Sequence, residues 1–119
     1  MLNQSKSIKI QNRLLGYGHL PYCIAEVGIN HNGSLEKAIQ MISIAKKAGV
    51  DAIKFQTFRA KEFCGDPNQL FKYRSQGKIV IESMLKMFKR YELNRKAWFE
   101  IKKECNRKNI VFLSTPQNM

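Results

Sequence analysis

The sequence predicts an α/β protein in which helices pack on a parallel sheet, and three observations support this. Near-continuous apolar runs at 22–27, 51–57 and 110–113 have the pattern of parallel strands covered on both faces. Between the first two runs, Leu35, Ala38, Ile39, Ile42 and Ala45 recur at three- and four-residue steps, giving one apolar helical stripe. Before the third, Ala97, Trp98, Ile101 and Cys105 repeat that spacing. Strands and helices in alternation imply a parallel sheet with helices laid on it.

Each element has its own local signals. Residues 7–15 alternate weakly (Ile8, Ile10, then Leu14 and Leu15) and stop at Gly16-Tyr17-Gly18, which predicts a short hairpin. The chain thus divides into an N-terminal hairpin, 1–20, and a main domain, 21–119. Pro21 precedes the first strand. Ser34 is placed to cap the first long helix, Glu36 sits near its positive end, and Lys46, Lys47 and Gly49 mark its stop. From 58 to 77 the periodicity dissolves. Gly65-Asp66-Pro67-Asn68 is turn chemistry and Ser75-Gln76-Gly77 a further break, so a long irregular connection is expected. Residues 79–91 predict a short helix with Ile81, Met84, Leu85 and Phe88 on one face. Asn94 then caps a longer helix whose far side, Lys102, Lys103 and Arg107, is a solvated face. Asn109 ends it.

Composition narrows the class. At 119 residues and 13.8 kDa the length suits one domain, and 44% apolar with 25% charged residues is ordinary for a globular protein. No run of 18 apolar residues reads as a membrane span, and residues 1–7 lack the apolar segment of a secretory signal. Cys23, Cys64 and Cys105 share no metal-type spacing and read as reduced thiols, so a cytoplasmic location is expected. The net charge of +12 admits nucleic-acid binding, or a basic surface suited to an anionic small molecule. The basic residues are spread along the chain without a nucleic-acid motif, so no nucleic-acid partner is expected.

Four polar residues stand where chemistry is possible. Alternate strand residues share a face, so Lys54 and Gln56 point one way while Ile53 and Phe55 point to the helix-covered side. Glu26 shares a face with Ile24 and Gly28, and Thr115 with Leu113. All four lie toward the C-terminal ends of their strands, where parallel α/β folds bind ligands. A charge inside an apolar strand is expected to be paired or functional, because burying it alone costs several kcal/mol or more. Two readings stay open. Glu26 and Lys54 form an ion pair between neighbouring strands, or Lys54 binds a phosphate or carboxylate while Glu26 handles hydroxyls or protons. Asn30, Asn32 and Gly33 read as turn formers, and His31 as a hydrogen-bonding turn residue. No second His or Cys stands at ligand spacing, so no metal site is expected in this chain.

Three blocks carry a resemblance. They are Ile24-Ala25-Glu26-Val27-Gly28-Ile29-Asn30-His31-Asn32-Gly33, Ala48-Gly49-Val50-Asp51-Ala52-Ile53-Lys54-Phe55-Gln56-Thr57 and Phe112-Leu113-Ser114-Thr115-Pro116. In order and spacing, residues 21–116 resemble the N-terminal third of the sialic acid synthase family, which includes N-acetylneuraminate, legionaminate and pseudaminate synthases. The resemblance implies the N-terminal part, about three strands, of a (β/α)8 TIM barrel. It implies condensation of phosphoenolpyruvate with an N-acetylated amino sugar such as N-acetylmannosamine to a nine-carbon 2-keto acid sugar. It also implies a divalent metal, Mn2+ or Mg2+, whose ligands fall outside this chain, and a homodimer for the full-length family.

By the family's motif, Lys54 and Thr115 hold phosphoenolpyruvate and Gln56 sits at the sugar. Glu26 is the catalytic acid–base or water-orienting group, and Asn30 and His31 shape the loop above the barrel mouth. A barrel needs eight strands and typically about 250 residues. Where the family continues past Ser-Thr-Pro with an aromatic and an acidic residue, this sequence has Gln117-Asn118-Met119. The chain therefore reads as an N-terminal fragment, expected to be inactive and poorly soluble alone. The alternative is a small basic α/β module for nucleic acid or an acidic partner.

Overall fold

In the computed structural model, which describes residues 7–117, the chain opens with a small antiparallel hairpin, β1 (Ile8–Ile10) and β2 (Arg13–Leu15). The first six residues of the hairpin segment, and Asn118 and Met119, lie outside the described residues. Next come β3 (Ile24–Gly28), α1 (Leu35–Lys47) and β4 (Ala52–Thr57). An insertion follows, made of α2 (Ala60–Phe63), β5 (Leu70–Ser75), β6 (Lys78–Ser83) and α3 (Met84–Tyr91). The chain then forms α4 (Arg95–Lys108) and β7 (Val111–Pro116). Strands β3, β4 and β7 lie side by side in that order, all parallel, while β5 and β6 form a separate antiparallel hairpin. The α/β architecture with a three-stranded parallel sheet is the one the sequence predicts.

The helix ends obey their local chemistry. Ser34 Oγ accepts from the Lys37 amide at 3.2 Å, and Asn94 Oδ1 accepts from the Ala97 amide at 2.9 Å. Asn109 adopts φ +52° and turns its amide back to the carbonyls of Asn106 and Cys105, which closes α4. Helices α1 and α4 cover one face of the sheet. Ile42 from α1, Ile53 and Phe55 from β4, and Ile101 and Cys105 from α4 meet there with no exposed surface. The Phe55 ring stacks on Phe112 and stands edge-on to Trp98, both at 5.9 Å between centroids. Burying a side chain of this size contributes about 1.5–3 kcal/mol, so Phe55 and the equally buried Ile53 tie β4 to its helical cover.

The insertion differs from expectation. Residues 58–77 are not an irregular connection throughout, and the helix expected over 79–91 begins only at Met84. Lys78 to Ser83 form β6, which pairs residue for residue with β5 from Ser75↔Lys78 to Leu70↔Ser83. The cause is Gln76-Gly77, whose φ values of +48° and +78° make a two-residue hairpin turn. Ile79, Val80 and Ile81 suit a strand better than a helix because they are β-branched. Ser83 Oγ then caps α3 by accepting from the Lys86 amide. The insertion has an aromatic cluster of its own. Phe63 and Phe88 meet edge-to-face at 4.7 Å, with Phe58 at 5.9 and 5.4 Å from them.

The N-terminal hairpin is pinned below the sheet. Arg13 pairs with Asp51, just before β4, and donates to the Pro21 carbonyl at 2.7 Å. Asp51 Oδ2 also accepts from the Cys23 amide at 2.7 Å. One carboxylate thus joins the hairpin to the entries of β3 and β4. Among the described residues no helix is long and apolar enough to cross a membrane.

Candidate active site

The register of the sheet brings the polar residues together. Glu26 on β3 lies directly across from Lys54 on β4, and Lys54 lies across from Leu113 on β7. One step nearer the C-terminal ends, Gln56 lies across from Thr115. Between Glu26 and Gly28 the register slips, so Val27 is an extra residue and Gly28 pairs with Phe55. Gly28 has φ +55°, a left-handed conformation that glycine adopts freely.

The slip shapes the site. The Gly28 amide donates to Glu26 Oε1 at 3.0 Å, while Glu26 Oε2 takes Lys54 Nζ at 2.7 Å. A Cβ at Gly28 would stand 3.7 Å from Gln56 Nε2 and 3.8 Å from Glu26 Oε1. The bulge therefore sets the Glu26 carboxylate and the Gln56 amide on two sides of one small gap. Lys54 is held in the same row by pairing with the carboxylate.

One expectation is corrected here. The sequence places the two charges inside apolar strands, yet the side chains of Glu26 and Lys54 are 51% and 35% exposed. They stand on the sheet face away from α1 and α4, which leaves them open to solvent. An exposed pair of this kind contributes only about 0–1 kcal/mol, so stability gives little reason for it.

The structure brings Glu26, Lys54, Gln56 and Thr115 to one face and places Asn30 and His31 differently. Asn30 is exposed in the turn after β3, its amide bonded to the Val27 carbonyl at 2.9 Å. His31 is turned inward. It has no exposed surface and lies against Phe55 and Trp98, with centroids 6.3 and 6.4 Å away, on the helix-covered side. Its Nδ1 accepts from the Gly33 amide at 3.1 Å, which puts the proton on Nε2, and Nε2 has no hydrogen-bond partner. Burial pushes the imidazole below its ordinary range. His31 therefore supports the turn from inside the core, where the loop above a barrel mouth was expected to display it. Its spacing gave no warning, because a turn residue and a core residue look alike in sequence.

Among the described residues no three His, Cys, Asp or Glu side chains cluster as a metal site. Glu26 offers one carboxylate whose oxygens are taken by Lys54 and the Gly28 amide, so these residues do not fit a divalent ion. One residue with a part in the site escapes the sequence reading. Gly28 carried the signal of a glycine inside a strand pattern, which marks a bulge.

Both outer strands of the sheet have open flanks. Beside β3, Ala25, Val27, Met41 and Val50 line an apolar groove, and beside β7, Trp98, Phe99 and Phe112 line another. Such flanks suit further strand–helix units on either side. The model of the NeuB family matches residues 41–119, two-thirds of the chain. The chain belongs to the NeuB family.

Relatives within and around the NeuB family agree with this. The chain is 41% identical over 93 residues to an N,N'-diacetyllegionaminic acid synthase of Campylobacter jejuni, covering 78% of this chain and 28% of that protein. It is 34% identical over 109 residues to the spore coat polysaccharide biosynthesis protein SpsE of Bacillus subtilis, covering 92% of this chain and 28% of that one. The solved structure of an N-acetylneuraminic acid (sialic acid) synthetase from Leptospira borgpetersenii superposes with a TM-score of 0.76 at 30% identity. That match covers 94% of this chain and 34% of the synthetase. The chain thus spans about 30% of the length of the curated relatives it matches. Its three parallel strands and flanking helices are the N-terminal part of a (β/α)8 barrel.

Proposed function

We propose that this chain forms part of the active site of a synthase that condenses phosphoenolpyruvate with an N-acetylated amino sugar to give a nine-carbon 2-keto acid sugar. The observation that carries this reading is the exposed Glu26–Lys54 pair at 2.7 Å, flanked by Gln56 and Thr115 at the C-terminal ends of three parallel strands. The names of the relatives support the same class, since several are synthases of nonulosonic acids.

The chemistry assigns each residue a task. Lys54 binds the phosphate or carboxylate of phosphoenolpyruvate as a point charge, and the Thr115 hydroxyl donates to another of its oxygens. The Gln56 amide, which both donates and accepts, is suited to sugar hydroxyls. The alkene carbon C3 of phosphoenolpyruvate forms a bond to the sugar aldehyde carbon as the C=C π pair is used, and the aldehyde oxygen takes a proton from solvent water. Water adds to the cationic C2, and phosphate then leaves as the 2-keto group forms. Glu26, released from Lys54 when the anion arrives, accepts the proton of the attacking water. The divalent metal implied by the family resemblance has no fitting ligand set among the described residues, so no step is assigned to it.

The chain alone is proposed to be inactive, since three strands leave the site open on two sides. Calorimetric titration with phosphoenolpyruvate tests the binding half of the proposal. Saturable binding lost in Lys54→Met supports it, and binding unchanged by that substitution overturns it. The net charge of +12 favours a second reading, a basic module that binds nucleic acid. A steep fall of DNA affinity with salt, insensitive to Lys54→Met, would mark that reading.

A further inference from the structure

The insertion between β4 and α4 is built around one ion pair. Arg90, in the last turn of α3, sends Nη1 to Glu82 Oε2 at 2.5 Å and Nη2 to Glu82 Oε1 at 2.6 Å. The Tyr73 hydroxyl donates to the same Oε1 at 2.6 Å. Glu82 lies on β6 and Tyr73 on β5, so the clasp gathers both strands of the hairpin and fastens them to α3. The Glu82 side chain is 16% exposed, and the fork–fork geometry is the case in which a surface pair is most effective. Together Arg90 and Tyr73 hold the Glu82 carboxyl down at about 2, well under its usual range.

The backbone of Arg90 meets a second element. Gly33 closes the turn after β3 with φ +72°, and a Cβ there would fall 2.0 Å from the Arg90 carbonyl oxygen. Only glycine permits that approach. From Gly33 the turn runs back to the site through a series of hydrogen bonds. The Gly33 amide donates to His31 Nδ1, Asn32 to the Ile29 carbonyl, and Asn30 to the Val27 carbonyl. The Gly28 amide, one residue past Val27, donates to Glu26 Oε1. With so few residues and so many bonds, the turn has no slack to absorb a shift at its far end.

We infer that Arg90 is a positioning residue for Glu26: its side chain fixes the β5–β6 hairpin through Glu82 and Tyr73, while its main-chain carbonyl backs the Gly33 end of the turn that carries the Gly28 amide. The turn stands at the C-terminal end of β3, next to Glu26, so a shift of the Arg90 backbone bears on the strand end that carries the carboxylate. Glu92, two residues on, ties the start of the insertion to its end by accepting from the Ala60 amide at 2.9 Å. The inference rests on the proposed function only in giving Glu26 a task.

Amide hydrogen exchange on the 119-residue chain tests it, comparing Arg90→Lys and Glu82→Gln with the unsubstituted protein. Lysine keeps the charge and loses the fork. Both variants are expected to raise exchange roughly ten-fold or more across β5–β6 and at Gly28 and Gly33, with Phe55 unchanged. The Gly28 amide proton should move upfield as its bond to Glu26 weakens. Faster exchange in the hairpin with Gly28 and Gly33 unaltered overturns the inference, since Arg90 then holds the hairpin alone. A uniform rise that includes Phe55 also overturns it, since the clasp then supports the whole fold. The readout involves no ligand, so a negative result is separate from any failure of phosphoenolpyruvate to bind.

Discussion

Glu26 and Lys54 face each other across neighbouring parallel strands and join at 2.7 Å, yet each remains open to solvent on the sheet face that no helix covers. On the proposed function their contact is a resting arrangement that the incoming anion displaces. Lys54→Met should therefore leave stability within about 1 kcal/mol of the unsubstituted chain, the range for exposed pairs. Urea unfolding monitored by Trp98 fluorescence measures this, and a loss of several kcal/mol would mean the pair is structural.

Gly33→Ala should destabilise by about 2–4 kcal/mol, combining a left-handed backbone with overpacking against a main-chain carbonyl. Gly49 provides the control. It has φ +78° but nothing within 4 Å of an added Cβ, so Gly49→Ala should show only the backbone part. Equal losses in the two variants by urea unfolding would remove Arg90 from the account.

His31 should make the fold acid-sensitive. Its folded-state value lies below the ordinary 6.5, so the unfolded chain binds this proton at higher pH than the folded one. The contribution is complete above about pH 6.5 and is lost as pH falls from there. Thermal unfolding from pH 7.5 to 5 should show this slope, reduced in His31→Phe. An unchanged slope would show that the buried imidazole does not govern it.

Glu82 acts in a lower window. With its carboxyl held at about 2 against an ordinary 4.5, its contribution is present above about 4.5 and fades as pH falls toward 2. Exchange protection of the β5–β6 amides should decline over that range and be low at every pH in Glu82→Gln. Protection that is indifferent to pH from 5 to 2.5 would contradict the clasp.

Much of the fold was legible because local and tertiary signals agreed. Ser34, Asn94 and Asn109 stand at the helix ends their chemistry suggests, and the apolar runs are the parallel strands. The insertion was illegible because two glycine-containing breaks hid a hairpin. Gln76-Gly77 served as a tight turn, and Ile81, assigned to a helical face, lies on β6. At the site, strand alternation was enough to put Glu26, Lys54, Gln56 and Thr115 on one face. It could not supply the bulge at Val27, which aims the Gly28 amide at the carboxylate. Nor could it place His31, since burial depends on Phe55 and Trp98, far away in sequence.

The most direct test follows two resonances, the Lys54 side-chain nitrogen and the Glu26 carboxyl carbon, while phosphoenolpyruvate is added to the labelled chain. Both are expected to shift along one saturable curve, because the anion takes Lys54 and frees Glu26. Shifts confined to other basic residues, with the Glu26–Lys54 pair intact at saturation, would contradict it.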